Sequence, residues 1–391
     1  SRTSALCQAQ NWRRWAGYLV AGSYELTHER EYYAIRSSAG LIDVSPLYKY
    51  VIRGPDCARL LDRVVTRNVA KCAVGQVMYT PWCDPAGKVL DDGTLARLDE
   101  GTFRLTAAEP NLRWLWDNAT GLDVSVDDAT DSTAVLALQG PLSRDILRGI
   151  TDCDVDSLRF FRVTSASIHG VRGSIVCSIS RTGYTGDLGY EIWVDRDDAE
   201  PLWDTLLEHG APFGITPAGL LALDIVRIEA GLLLIDVDYV PARKALIEQQ
   251  KSSPFELGLG WTVRLDKDYF VGRDALREEK KRGSAWQLRG LEVHWDSLEE
   301  VYGEFELPPR LPGSAWRTSV PVYRNGIQVG YATSGCWSPI LKKYIALAHL
   351  EARAAEQGST LTMEVTVEHR RRQAEATVVR TPFFDPERKR K

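Results

Sequence analysis

Residues 174–210 read SIVCSISRTGYTGDLGYEIWVDRDDAEPLWDTLLEHG. The opening part, SIVCSIS, has the character of a strand, and it runs into a loop with glycines at 183, 186 and 189. YEIWVD at 190–195 is a further strand, and AEPLWDTLLEHG at 199–210 is a helix with a glycine stop. Strands and helices mixed in this way do not follow a strict βαβ rhythm. They predict an α+β fold rather than a doubly wound sheet.

The same mixture extends in both directions. Upstream, residues 24–36 have helical spacing, KYVIRG (49–54) is a strand ending in a Gly-Pro-Asp turn, and PDCARLLDRVV (55–65) starts as a helix should. GQVMYTPWCD (75–84), GTLARLDE (93–100) and TFRLTAA (102–108) alternate like strands, and RWLWDNA (113–119) reads as a helix. TAVLALQGP (133–141) is a buried strand, followed by a helix at 142–150. Downstream, PAGLLALDIVRIEAG predicts a long apolar helix from Pro217 to Gly231.

The pattern changes after the hydrophilic stretch EEKKRG (278–283). Short strands then dominate, and Asn325–Gly326 is a hairpin turn signal. This composition predicts a small C-terminal β-barrel. The chain divides accordingly into a loosely attached leader (1–23), a main domain (24–279) and a barrel domain (280–391). The terminal ERKRK is expected to be a solvated, frayed end.

Composition bounds the function. The net charge of −5 gives no basic excess to neutralise phosphates, which argues against a nucleic-acid partner. No run of about 18 apolar residues offers a membrane span. The seven cysteines are scattered with no CxxC pair, as expected of free thiols in the cytoplasm. The histidines form no HExxH or HxH spacing, so no metal site is expected. Cys83 is a conceivable thiolate, although no histidine lies near it in sequence.

Three segments carry candidate chemistry. DPAGKVLDDGT (84–94) holds adjacent carboxylates, Asp91 and Asp92; in a strand the two point to opposite faces, so one of them can face a cleft. The alternative is a simple Asp-Gly turn. SRTGYTGDLGYEI (180–192) joins a glycine-rich loop bearing Tyr184 to Glu191, whose carboxylate could accept parallel hydrogen bonds from a flat, nitrogen-rich ring. The alternative is an ordinary turn and an edge-strand glutamate. DIVRIEAG (224–231) places Asp224 and Arg227 one turn apart in an apolar helix, where a charge must be paired or face a ligand.

In this order the segments resemble the aminomethyltransferase (glycine-cleavage T-protein) family. The matching pieces are AGLIDVSPLYKYVIRGPD, VGQVMYTPWCDPAGKVLDD, LALQGP, SRTGYTGDLGYEIWV, PAGLLALDIVRIEAGL, LGLGW with FVGRDAL, and VGYATSGCWSPILKKYIALAHL. The resemblance covers about residues 24–384. It implies a three-lobed fold of two interleaved α+β lobes and a C-terminal β-barrel around a channel for tetrahydrofolate. It implies that Asp92 is the key catalytic and folate-binding acid, and that Tyr79, Tyr184, Glu191 and Arg227 contact the folate.

Asp91 is left as a turn residue. Where the glycine-cleavage enzyme usually reads GGILDDLIV, this chain reads GKVLDDGTL. An Asp-Gly at this point is frequent among demethylases of the same superfamily. The expectation is therefore an enzyme that moves a methyl or methylene group from a small S-, N- or O-methyl donor to tetrahydrofolate. The alternatives are the glycine-cleavage aminomethyltransferase, with a lipoyl carrier protein as partner, and a non-catalytic folate-binding assembly protein. Tyr239 is a candidate acid for an ether leaving group, and Trp82 a candidate aromatic wall for the donor.

Overall fold

The computed structural model of the protein describes residues 2–170 and 173–391. Its chain builds two antiparallel-rich sheets in turn and then a barrel. Strand Ala39–Asp43 belongs to a six-stranded sheet. The chain then leaves to form a five-stranded sheet from Tyr48–Arg53, Val77–Cys83, Val89–Asp99, Thr102–Ala107 and Ser125–Asp128. It returns to the first sheet with Thr133–Gln139, Val163–Gly170, Gly173–Ser180, Gly189–Asp195 and Ile215–Pro217. This departure and return is what interleaves the two α+β lobes.

Two helices differ from their sequence readings, and the first of them, read from Tyr24, spans Glu29–Ser37. The apolar helix spans Leu220–Glu229 and does not start at Pro217. Residues Ile215–Pro217 instead pair in parallel with Ala39–Leu41. A proline at a helix start and a proline at the end of a short edge strand look alike locally; pairing with a distant strand decides between them.

The barrel closes from strands Trp286–Val293, Lys343–Glu351, Ile327–Ser338, Val320–Arg324, Thr360–Val367 and Arg370–Val379, in that spatial order. Asn325 and Gly326 both take positive φ, as a tight hairpin turn requires. Strand Lys343–Glu351 is buried on both faces because its period of two serves two cores. Ala346, Ala348 and Leu350 fill the barrel, while Ile345 and Leu347 join Ile225, Val226 and Ile228 of the apolar helix. Burying such side chains is worth about 1.5–3 kcal/mol each, enough to hold a helix that also carries buried charges. The barrel is thereby packed directly against the Arg227 helix.

The N-terminal residues, read above as a loose leader, pack onto the six-stranded sheet. Cys7 and Ala21 are buried in its core, and Arg2 reaches Asp204 at 2.8 Å. The basic tail is also docked rather than frayed: Arg388 forms a paired contact with Asp187. Among the described residues no helix is long and apolar enough to cross a membrane.

Candidate active site

Asp91 and Asp92 lie within the strand Val89–Asp99, not in a turn; the turn of this hairpin is at 84–87, where the Gly87 amide donates to the Asp84 carbonyl at 2.9 Å. The pleat sends the two carboxylates to opposite faces. Asp91 is fully buried and accepts from the backbone amides of Asp92 (2.8 Å) and Glu109 (2.9 Å) and from Asn111 Nδ2 (2.7 Å). Burial, helped by the adjacent Asp92 charge, pushes its carboxyl up to about 7.

Asp92, half-buried on the other face, accepts from two phenols. Tyr79 donates to Oδ2 at 2.9 Å and Tyr239 donates to Oδ1. Burial raises the Asp92 pKa, and the hydroxyls of Tyr239 and Tyr79 pull it back. Burial, reinforced by the Asp92 charge, holds both phenols well above their ordinary range, so both remain donors. Tyr239 reaches Asp92 because Leu233, Tyr239, Leu257 and Leu259 pack with Cys83 and Val89 of the hairpin.

Gly93 is required here: a Cβ at this position would overlap the Thr106 carbonyl oxygen. With that approach allowed, the Thr94 and Thr106 hydroxyls meet at 2.7 Å. Arg104, two residues from Thr106 on the same strand face, crosses to the six-stranded sheet. It lies 3.7 Å from the Trp193 ring centre and donates to Ser178 Oγ at 3.1 Å. Burial lowers its pKa to about 10, against the pull of the Glu191 carboxylate. Arg104 thus bridges the sheet of Asp92 and the sheet of Glu191.

Glu191 sits on Gly189–Asp195, an interior strand of its sheet, which removes the edge-strand alternative. Its Oε2 accepts from Thr182 Oγ1 at 2.6 Å. Burial raises its pKa, opposed by the Thr182 hydroxyl and the Arg104 charge. Tyr184, on the loop between, donates to the Leu233 carbonyl. Its phenol is pushed up by burial and feels the charges of both Arg227 and Asp92.

Arg227 is fully buried and held from two sides. Its Nε donates to Asp224 Oδ1 at 2.9 Å, the one-turn pair anticipated from sequence, and its Nη1 donates to Asp238 Oδ2. Asp238 also accepts from the barrel hydroxyls of Thr333 (2.6 Å) and Ser334 (2.7 Å). Asp224 takes Arg317 Nε at 2.6 Å. Burial works against the Arg227 charge, but Asp238 and Asp224 outweigh it and raise the pKa. Its Nη2 is buried with no hydrogen-bond partner among the described residues.

Of the five residues singled out from sequence, Tyr79 and Asp92 bond directly. Tyr184 lies within electrostatic reach of Asp92 and Arg227. Glu191 shows no bond to these residues among the described ones; its charged partner is Arg104, on the sheet of Asp92. Sequence reasoning missed Asp238, Arg104, Thr182 and Trp261, whose 56% exposed ring stacks on Tyr79 with centres 6.2 Å apart. Asp238 carried a usable signal, a charge in the apolar run LLLIDVDYV. Trp82 is not a donor wall: it is fully buried in the core and donates to Asn111 Oδ1 at 3.2 Å. Cys83 is buried and its thiol is pushed well above its ordinary range by burial, which leaves no thiolate nucleophile. A groove of about 580 Å³ on the barrel, lined by Trp316, Tyr344 and Met363 among others, shares none of the site residues.

Comparison with known proteins bears on this arrangement. The family model for the GCVT N-terminal domain matches residues 3–267, and that for the glycine cleavage T-protein C-terminal barrel domain matches residues 305–385. An aminomethyltransferase of Halothermothrix orenii is 35% identical over 90% of this chain and 90% of its own length. One from Moorella thermoacetica is 35% identical over 94% and 92%. The crystal structure of glycine cleavage system aminomethyltransferase T from Bartonella henselae shares the fold, with a TM-score of 0.80 over 96% of this chain and 94% of that one at 24% identity. The chain therefore belongs to the aminomethyltransferase, or glycine-cleavage T-protein, family.

Proposed function

We propose that the protein is a tetrahydrofolate-dependent one-carbon transferase that handles an aminomethyl group, with Asp92 as its catalytic carboxylate. The observation that carries this reading is the Asp92 carboxylate held between the Tyr79 and Tyr239 hydroxyls, which come from separate segments of the chain. A carboxylate fixed by two donors cannot swing away, and is preorganised for positive charge arising beside it.

The residues present fit a reduced pterin. Its pyrimidine ring is flat and carries N–H donors along one edge and a carbonyl oxygen. Glu191 is a half-buried acceptor with one oxygen engaged by Thr182. Arg227 keeps a buried N–H group free of partners among the described residues, suited to an acceptor oxygen. Tyr184 and Tyr79 supply aromatic walls. Bound tetrahydrofolate would supply the nitrogen that takes the carbon unit. Asp92 would orient that nitrogen and stabilise its charge, with Tyr79, Tyr184, Glu191 and Arg227 holding the ring. The names of the relatives favour an aminomethyl donor, and with it a lipoyl-bearing carrier protein as partner.

A second reading, transfer from a small S-, N- or O-methyl donor, is favoured by the Tyr239 hydroxyl beside Asp92. An ether donor would need a proton at its leaving oxygen, and Tyr239 is placed next to the acid. The test is incubation with tetrahydrofolate and either an aminomethyl-loaded lipoyl carrier or a panel of methylated small molecules. Methylene-tetrahydrofolate with ammonia from the carrier supports the first reading. Methyl-tetrahydrofolate from the panel supports the second. A protein with no affinity for reduced folates overturns both.

A further inference from the structure

The segment 384–391 returns to the loop that carries Tyr184. Arg388 grips Asp187 with two bonds, Nε to Oδ1 at 2.6 Å and Nη2 to Oδ2 at 2.8 Å. The segment is tied at further points. Phe384 donates its amide to the Glu229 carbonyl at 2.8 Å, and its ring lies 4.5 Å from the Arg36 guanidinium. Arg181, at the start of the loop, donates to the carbonyls of Arg388 (3.3 Å) and Lys389 (3.2 Å).

Asp187 has few other options. Its side chain is fully buried, and its second cation, Arg36, stands off at 3.6 Å. Arg36 is itself committed to Glu229 at 2.6 Å, to the Thr185 carbonyl at 2.9 Å and to the Val226 carbonyl at 3.1 Å. Without Arg388, Asp187 keeps the Leu188 amide at 2.8 Å, and a buried carboxylate deprived of its main cation is unfavourable and is relieved by taking up a proton or by movement of the loop towards water. The loop cannot absorb such a shift locally. It wraps Gln139 so closely that a Cβ at Gly183 or Gly189 would overlap the Gln139 amide, and Thr185 Oγ1 donates to Gln139 Oε1 at 2.8 Å. Tyr184 adjoins Thr185, and Glu191 follows Asp187 by four residues on the strand the loop feeds.

We infer that Arg388 is a positioning residue: through Asp187 it fixes the loop 181–189 so that Tyr184 and Glu191 are set for the reduced folate. The inference rests on the folate reading above. Arg388 touches neither folate nor the transferred carbon; it acts on affinity through the loop.

The full chain is compared with Arg388→Ala and Arg388→Lys. Three quantities are read: the tetrahydrofolate Kd, kcat, and amide hydrogen exchange across 181–190. In Arg388→Ala the Kd rises about tenfold while kcat changes by less than about threefold, and exchange across 181–190 accelerates. Arg388→Lys keeps the charge but not the two-pronged grip, so it restores part of both losses. A wild-type Kd with wild-type exchange in Arg388→Ala overturns the inference. So does a fall in kcat at unchanged Kd, the mark of a merely structural defect. Wild-type protein that binds no reduced folate overturns the folate reading instead, and the exchange data then still decide whether Arg388 anchors the loop.

Discussion

Asp91 and Asp92, neighbours in the chain, turn their carboxylates to opposite faces of one strand: Asp91 meets Asn111 at 2.7 Å inside the lobe, and Asp92 meets Tyr79 at 2.9 Å on the other face. The first is satisfied by three N–H groups and the second by two phenols. The same functional group thus meets backbone and amide N–H donors on one face and phenols on the other. Substitutions at the two positions should separate accordingly.

Replacing Asp92 should spare folding and remove activity. Asparagine keeps the shape but sets an amide N–H against one of the two phenol donors and carries no charge. Loss of one preorganised electrostatic contact lowers kcat by about 10²–10³-fold. Asp92→Asn and Asp92→Ala, checked for native circular dichroism, are assayed for one-carbon transfer to tetrahydrofolate. Wild-type rates in both would remove Asp92 from the mechanism.

The phenols should be visible in the pH profile. Both stabilise the ionised form of Asp92, against the burial that disfavours it. Removing one hydroxyl leaves burial less opposed, so the Asp92 pKa rises further. Tyr239→Phe and Tyr79→Phe should each move the acidic limb of the kcat profile to higher pH. A limb that stays in place, or moves to lower pH, would show that these hydroxyls do not govern the ionisation that matters.

Asp91 should instead govern stability against pH. Its carboxyl ionises near 3.8 when free and at about 7 in the folded protein. Between those values the native state holds a proton that the unfolded chain has lost. Stability from this group therefore falls as pH rises, by up to about 1.4 kcal/mol per pH unit, and flattens above about pH 7. Asp91→Asn cannot titrate. Urea denaturation of both proteins from pH 5 to 8 should show a stability difference that changes with pH in the variant's favour. Parallel curves would mean that Asp91 is already ionised throughout.

How much of this was legible in the sequence depends on how far apart the partners lie. The opposite faces of Asp91 and Asp92 follow from strand alternation alone, and the Asp224–Arg227 pair follows from helical spacing. The α+β mixture and the C-terminal barrel follow from local strand and helix character, whereas the three-lobed arrangement was implied by the family resemblance that the ordered motifs carry. Asp238 was missed because its partners Arg227, Thr333 and Ser334 lie 11, 95 and 96 positions away. The basic tail read as solvated because charge runs usually are, while the partner of Arg388 lies 201 positions upstream. The parallel strand Ile215–Pro217 was likewise fixed by a distant strand, Ala39–Leu41, rather than by its own residues.

The clamp on Arg227 provides a last test, because its two outer supports differ in exposure. Asp238 is fully buried and carries Arg227, two barrel hydroxyls and the Leu234 amide. Asp238→Ala leaves a buried guanidinium with one carboxylate and strands the hydroxyls, which costs about 3–5 kcal/mol. Arg317, which reaches Asp224 from the barrel side, is 35% exposed, and its loss leaves Asp224 the direct bond to Arg227 Nε at 2.9 Å, whereas Asp187 without Arg388 is left with Arg36 at 3.6 Å. Arg317→Ala should cost about 0–1 kcal/mol. Chemical denaturation of the two variants should therefore rank them far apart although both remove one ion-pair partner. Equal losses would mean that Arg227 is not held by buried charge, and that the helix Leu220–Glu229 owes its place to apolar packing against the barrel alone.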